Sequence, residues 1–316
     1  MHLRAAALIN RPRVFQRLTG VSVKEFESLL PVFTQAYMRQ VIQPRVEAAH
    51  RVRRLGGGQK GALIEMGDKL LFILVYVRLY PLLFLQGMLF GMAESKACTW
   101  VKVLLPVLDA ALEQKHVRPK RARGRSVEEI IKEFPELKEL GILTDGTERP
   151  IRRPKEESEQ KETYSGKKKR HTKKYVTLSH PRTQYILARS EEAPGSVHDK
   201  KMLDEAALTC TTAIPLFADS GFQGLELGQA VVTTPFKRKR KKKGEPKDEL
   251  TPAQKEFNTQ LSKRRISIEH SNAGIKRSHS VSDILRNTRQ GMSDQLMMVA
   301  MGLHNLRVSL RASYQI

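Results

Sequence analysis

Apolar residues recur at helical spacing through the first third of the chain and gather into short, strand-like runs in the remainder. Ser22 stands where a helix N-cap belongs, Glu25 follows three residues later, and Phe26, Leu29, Leu30 and Phe33 keep one face apolar. A serine and a glutamate so spaced satisfy each other's free backbone donors, so the pattern predicts a capped helix. Arg51-Val-Arg-Arg and Gly56-Gly-Gly then break the periodicity, which reads as a flexible basic loop. Gly56, Gly58 and Gly61 have the spacing of a dinucleotide-binding loop, but no strand precedes them and no βαβ unit surrounds them, so that reading falls. A strongly apolar helix is expected from Gly67 to about Arg78, a short one through Phe90, a turn at Gly91-Met-Ala-Glu, and a third helix from Ser95 to about Leu105, ended by Pro106. Helix, glycine turn, helix is the pattern of a helix-turn-helix whose second helix would expose Lys96, Thr99 and Lys102. The same helices would equally form a packing unit with no nucleic-acid contact.

The second part of the chain changes character. Residues 115–137 carry Lys115, Arg118, Lys120, Arg121, Arg123 and Arg125 and then a short helix from Val127 to about Glu136. Strands are expected at 140–145, 175–178, 184–188, 213–219 and 230–234, with His180-Pro-Arg-Thr as a hairpin turn. Ser196-Val-His-Asp199 opens a helix to about Leu208; Asp199 competes for a ligand role but sits where a helix N-cap belongs, the reading favoured, and His198 has no second ligand at metal spacing. The order describes an α/β fold, a mixed sheet flanked by helices, preceded by an all-α region. The domain boundaries expected are 1–114 for the helical part, with the helix-turn-helix at about 67–112, then 115–137 as basic linker and short helix. An α/β domain fills 138–316 and carries a basic loop at 236–250.

Charge narrows the partner. Lys and Arg number 56 against 33 Asp and Glu, a net charge of +23, far beyond what solubility needs. A polyanion is the natural partner. The longest apolar run, residues 70–77, is bounded by Lys69 and Arg78 and is too short to span a bilayer. Cys98 and Cys210 stand alone, which excludes a disulfide framework, and Arg11 and Arg13 interrupt the apolar N-terminus before it resembles a secretory signal. A cytoplasmic, nucleoid-associated protein is expected. Lys167, Lys168, Lys169, Arg170, Lys173 and Lys174 form one basic block, and a run opening with Lys237 and Arg238 forms another. Both would attract phosphates and neither could read base sequence.

Three acids carry the candidate chemistry. Asp145 and Asp219 each end an apolar run, the position where α/β sheets present ligands, although an aspartate ahead of glycine is also ordinary turn chemistry. Glu269 lies in a helix where Arg265, Glu269, Asn272 and Lys276 form one stripe between apolar flanks, the pattern of a cleft wall or of a surface ion pair. Carboxylates are the oxygen donors that divalent cations prefer, and two such ions about 4 Å apart clamp the attacking and leaving oxygens of a phosphodiester.

The strings Thr144-Asp-Gly-Thr-Glu-Arg-Pro150, Tyr164-Ser-Gly-Lys-Lys-Lys, His171-Thr-Lys-Lys, Pro194-Gly-Ser-Val-His-Asp199, Ala218-Asp-Ser-Gly-Phe-Gln-Gly224 and Arg265 through Glu269 to Lys276 together resemble the DDE transposases of insertion-sequence family five, relatives of the Harbinger elements. The likeness covers roughly residues 45–310. It implies a ribonuclease-H-like domain in which Asp145, Asp219 and Glu269 are catalytic and bind two Mg²⁺ ions, for which Mn²⁺ substitutes. It also implies metal-assisted cleavage of double-stranded DNA at the element's inverted repeats and strand transfer into target DNA. Arg265 and Lys276 would hold phosphates, and pairing of two ends implies a homodimer or higher homo-oligomer. The family signature places a tyrosine where this chain has Ser262, and Asp219-Ser-Gly-Phe departs from the usual Asp-x-Gly-Tyr. The alternatives are a DNA-binding protein that has lost catalysis and a stand-alone endonuclease.

Overall fold

Ser22 opens its helix by the expected reciprocal cap. Its hydroxyl accepts from the Glu25 amide at 3.2 Å, while its own amide donates to Glu25 Oε2 at 2.7 Å. The computed structural model describes residues 2–47, 61–238 and 249–311. The basic run at 51–54 and Gly56 and Gly58 therefore lie outside the described residues, as does most of the basic loop after Arg238. Contacts divide the chain into two compact units, Met1–Arg118 with Ile275–Ile316, and Pro119–Gly274.

The first unit is helical. It contains α1 (Ala5–Ile9), α2 (Pro12–Thr19), α3 (Val23–Tyr37), a π-helical turn at Met38–Ile42, α4 (Gln43–Glu47), α5 (Met66–Leu79), α6 (Leu83–Phe90) and α7 (Glu94–Gln114). Residues Leu70 to Val77 of α5 are buried on every side, which explains the continuous apolar run. Gly91 ends α6 with φ +72°, a left-handed cap that suits glycine. Pro106 does not end the next helix as expected: α7 continues to Gln114 with the proline inside it, as Pro31 lies inside α3. Buried Leu104, Leu105, Val107 and Leu108 flank Pro106, and their packing offsets the backbone hydrogen bond that a proline forfeits.

The second unit is built on one mixed sheet. In chain order it holds β1 (Lys120–Arg121), α8 (Val127–Glu133), α9 (Leu137–Leu140), β2 (Ile142–Pro150), α10 (Glu157–Thr163), β3 (Tyr164–Ser165), β4 (Arg170–Ser179), β5 (Ile186–Arg189), β6 (Ala193–Pro194), α11 (Asp199–Glu205), β7 (Pro215–Phe217), β8 (Val231–Thr233) and α12 (Pro252–Lys276). The main strand order is β1-β5-β4-β2-β7-β8, with β3 and β6 pairing on β4. β4 runs antiparallel to β2 and β5, whereas β7 is parallel to both β2 and β8. This is the ribonuclease-H-like mixed sheet that the sequence led us to expect. One face of it buries Ile142, Val176, Leu178 and Leu216 against Ile130, Met202 and Leu203. On the other, Leu143 and Phe217 meet Leu261 and Ile268 of α12.

The chain then returns to the helical unit with α13 (His279–Ser282) and α14 (Met292–Ser309). Nearly every residue of α14 is buried. Gly302 packs tightly on the Leu112 side chain, where a Cβ would lie 3.0 Å from Cδ1, and Asn305 donates to the Val117 carbonyl at 2.9 Å. The sequence reading had assigned residues 138–316 to one domain; in the structure the final two helices belong to the first unit.

Candidate active site

Asp145 lies inside its strand, not at the end of it. β2 runs on to Pro150, and the pairs Asp145↔Thr177, Gly146↔Val176 and Glu148↔Lys174 tie it to β4. The expected strand end and the Asp-Gly turn are both overturned here, because a long antiparallel partner supplies ladder bonds past the apolar run. Asp219 lies two residues beyond Phe217, and Phe217 pairs with Leu143, itself two residues before Asp145. The two aspartates thus leave neighbouring parallel strands at matching positions. Asp219 also accepts from the Gly221 amide at 2.6 Å, so it caps the short turn Ser220–Phe222 as well.

Helix α12 reaches Asp145 with two side chains. Asn272 Nδ2 donates to Asp145 Oδ2 at 2.8 Å, and an Arg265 terminal nitrogen lies 3.7 Å from Oδ1. Residues 265 and 272 are two turns apart on one helix face, and Ile268 between them is fully buried. Glu269 is rotated roughly 40° from Arg265 about the helix axis and is exposed. Lys276 is the last residue of α12 and falls in the helical unit.

Asp199 is the acid that sequence reasoning misplaced. The N-cap of α11 is His198, and Asp199 is the first helical residue, making no cap bond. Its carboxylate instead pairs with Lys174 at 3.2 Å, and Lys174 also donates to the Val197 carbonyl at 2.8 Å. A Cβ at Gly146 would fall 2.8 Å from Asp199 Oδ1, and one at Gly221 would fall 3.2 Å from Oδ2 and 2.9 Å from Asp219 Oδ1. The glycine after Asp145 and the glycine two after Asp219 therefore admit the same carboxylate. Both glycines were visible in the sequence, one and two residues after an aspartate, and were the signal that could have favoured the ligand-side reading of Asp199 over the cap.

The electrostatics follow from this crowding. Burial pushes the Asp145 carboxyl up to about 6, Arg265 pulls it down, Asp219 pushes it up again, and Lys167 lowers it. Among the described residues no three His, Cys, Asp or Glu side chains converge closely enough to hold a metal ion. The donor set nevertheless suits a hard cation: Asp145 and Asp219 feel one another's charge, and Asn272 Oδ1 is a buried oxygen with no hydrogen-bond partner.

The basic side chains fall into two groups. Lys167, Lys168, Lys169 and Arg170 are exposed around the turn that joins β3 to β4, and Lys237 and Arg238 are exposed as well. Lys173 pairs with Glu192, and Lys174 points inward to Asp199. In the helical unit Lys96, Thr99 and Lys102 are exposed on α7.

The sequence profile of the DDE superfamily endonucleases matches residues 144–305, a span that holds all three acids. The chain belongs to the DDE superfamily endonucleases. The helix-turn-helix profile of the same superfamily matches residues 62–114, covering α5 to α7. The probable transposase for insertion sequence element IS702 of Microchaete diplosiphon is 28% identical over 300 residues, 95% of this chain and 96% of that protein. No solved structure matches. This DDE endonuclease is thus of transposase type and carries a helix-turn-helix region, and no helix among its described residues is long and apolar enough to cross a membrane.

Proposed function

We propose that the chain is the transposase of an insertion sequence, one that binds the element's inverted repeats, cleaves there and transfers the freed strand into target DNA. The observation that carries this reading is the placement of Asp145 and Asp219 at matching positions on adjacent parallel strands, with α12 laid across the same face. The family match and the net charge of +23 support it.

Asp145, Asp219 and Glu269 would hold two Mg²⁺ ions, with Mn²⁺ as a substitute, and bound ions supply activation of the attacking oxygen and stabilisation of the leaving one. Asp145 and Asp219 present fixed oxygens, whereas Glu269 joins them from the exposed edge of the helix face that carries Arg265. Arg265 holds a DNA phosphate and offsets the negative charge of Asp145 in the metal-free protein. Lys96, Thr99 and Lys102 face the terminal repeat, and the exposed block at 167–170 with Lys237 and Arg238 tracks the phosphate backbone. Two ends must be joined in one event, so the working form is a homodimer or larger.

Incubation with a plasmid bearing the flanking inverted repeats, a target plasmid and Mg²⁺ tests the reading. Wild type is expected to cut and join, and Asp145→Asn, Asp219→Asn and Glu269→Gln to do neither. Variants as active as wild type would overturn the catalytic assignment. Cutting without joining would favour a stand-alone endonuclease.

A further inference from the structure

We infer that Asn272 is a positioning residue for the metal site, orienting the Asp145 carboxylate without cancelling its charge. The inference rests on the proposed role of Asp145 as a metal ligand and goes beyond it by assigning work to a residue outside the acid set.

Asn272 is only 8% exposed, and its amide nitrogen lies 2.8 Å from Asp145 Oδ2. An ionised carboxylate only accepts hydrogen bonds, so the amide must turn its nitrogen toward Asp145 and its oxygen away. That oxygen is buried and has no hydrogen-bond partner. A buried acceptor left open carries an uncompensated desolvation penalty, and asparagine is also a weak helix former in the interior of α12. Two local penalties at one position point to a role beyond holding the helix.

The chemistry of the two α12 contacts differs. Arg265 lies 3.7 Å from Oδ1 and brings a full positive charge. Asn272 fixes the other oxygen with a neutral donor, so the carboxylate keeps its direction and its negative charge for a cation. Outer-shell groups of this kind typically alter metal affinity by about 10- to 100-fold.

The test is Mn²⁺ binding to the full-length protein without DNA, followed by the loss of the free-ion electron paramagnetic resonance signal. Asn272→Leu keeps the volume and Asn272→Ala removes it; both lose the donor. Each is expected to bind Mn²⁺ about 10- to 100-fold more weakly than wild type, with the metal-free protein's unfolding midpoint and circular dichroism showing whether the fold is retained. Should one variant fail to fold, the other decides. Affinity within about twofold of wild type in a folded variant, with Asp145→Asn clearly weakened, overturns the role of Asn272 and leaves the metal site standing. Unchanged affinity in Asp145→Asn overturns the metal site and this inference with it.

Discussion

Gly146 leaves its side-chain space to Asp199: a Cβ there would lie 2.8 Å from the carboxylate oxygen Oδ1. Gly146→Ala forces the Asp199 carboxylate aside, at the expense of its pairing with Lys174, and overpacking of this kind costs about 1–3 kcal/mol. Urea unfolding is expected to show that loss. Asp199→Ala removes the obstacle, so the double variant should be more stable than the sum of the two single losses implies. Losses that add to within about 0.5 kcal/mol would show that the two residues do not compete for the space.

Burial raises the folded-state Asp145 carboxyl to about 6, above its ordinary value of 3.8. A raised acid contributes its stability below the unfolded value, and that contribution is lost as pH climbs through about 6. Between pH 4 and pH 8 the metal-free protein should therefore lose roughly 2 kcal/mol at this one group, part of the effect being already lost at pH 4. Asp145→Asn carries no charge to bury, so it should be the more stable protein at pH 8 and should lack this part of the pH dependence. Denaturant titrations in a chelator at both pH values, wild type beside variant, measure the difference. Added Mg²⁺ should narrow it, because a cation favours the ionised form.

Much of this arrangement was legible in the sequence because local rules and tertiary structure agree there. The capping box at Ser22, the glycine turn at Gly91 and the hairpin after Ser179 are set by neighbours a few residues apart. What was not legible depended on distant partners. β2 extends through Thr147, Glu148 and Arg149, polar residues that are all buried, and Thr172 of β4 donates to Glu148 at 2.7 Å. No alternation of apolar and polar positions marks such a strand. Asp199 carried the local signature of a cap, and only its long-range pairing with Lys174 shows what its carboxylate does. The stripe from Arg265 to Lys276 was correct as helical geometry, yet which of its members faces Asp145 depends on how α12 is rotated over Leu143 and Phe217.

Exposed Lys96 and Lys102 lie on α7 within the segment matched by the helix-turn-helix profile. If both contact phosphates, replacing both by alanine should weaken binding to a terminal-repeat duplex, with the slope of log affinity against log salt shallower by nearly two. Fluorescence anisotropy across a salt series reads both quantities. A full slope with reduced affinity would mean that these lysines act by another route than phosphate contact.

Arg286 ties the segment before α14 to the end of α5. Its guanidinium stacks 4.1 Å from the Tyr80 ring centre, donates to the Pro81 carbonyl at 3.1 Å and also donates to the Tyr80 carbonyl. Tyr80 is held at φ +46°, a left-handed conformation that a tyrosine adopts at a cost. Arg286→Lys keeps the charge but loses the planar fork, so a destabilisation of about 1–3 kcal/mol is expected in thermal or urea unfolding. A change below about 0.5 kcal/mol would show that the ammonium group suffices.

The return of α14 to the first helices sets an order of events during synthesis. A chain emerging from the ribosome folds by units as their residues become available, and the helical unit lacks its most buried helix until residue 309 has been made. The strands of the sheet and the helices packed on them lie within residues 119–276 and are complete earlier. The unit that carries the helix-turn-helix region is thus the last to mature, and a premature stop shortly after residue 276 would spare Asp145, Asp219 and Glu269 while removing the core of that unit.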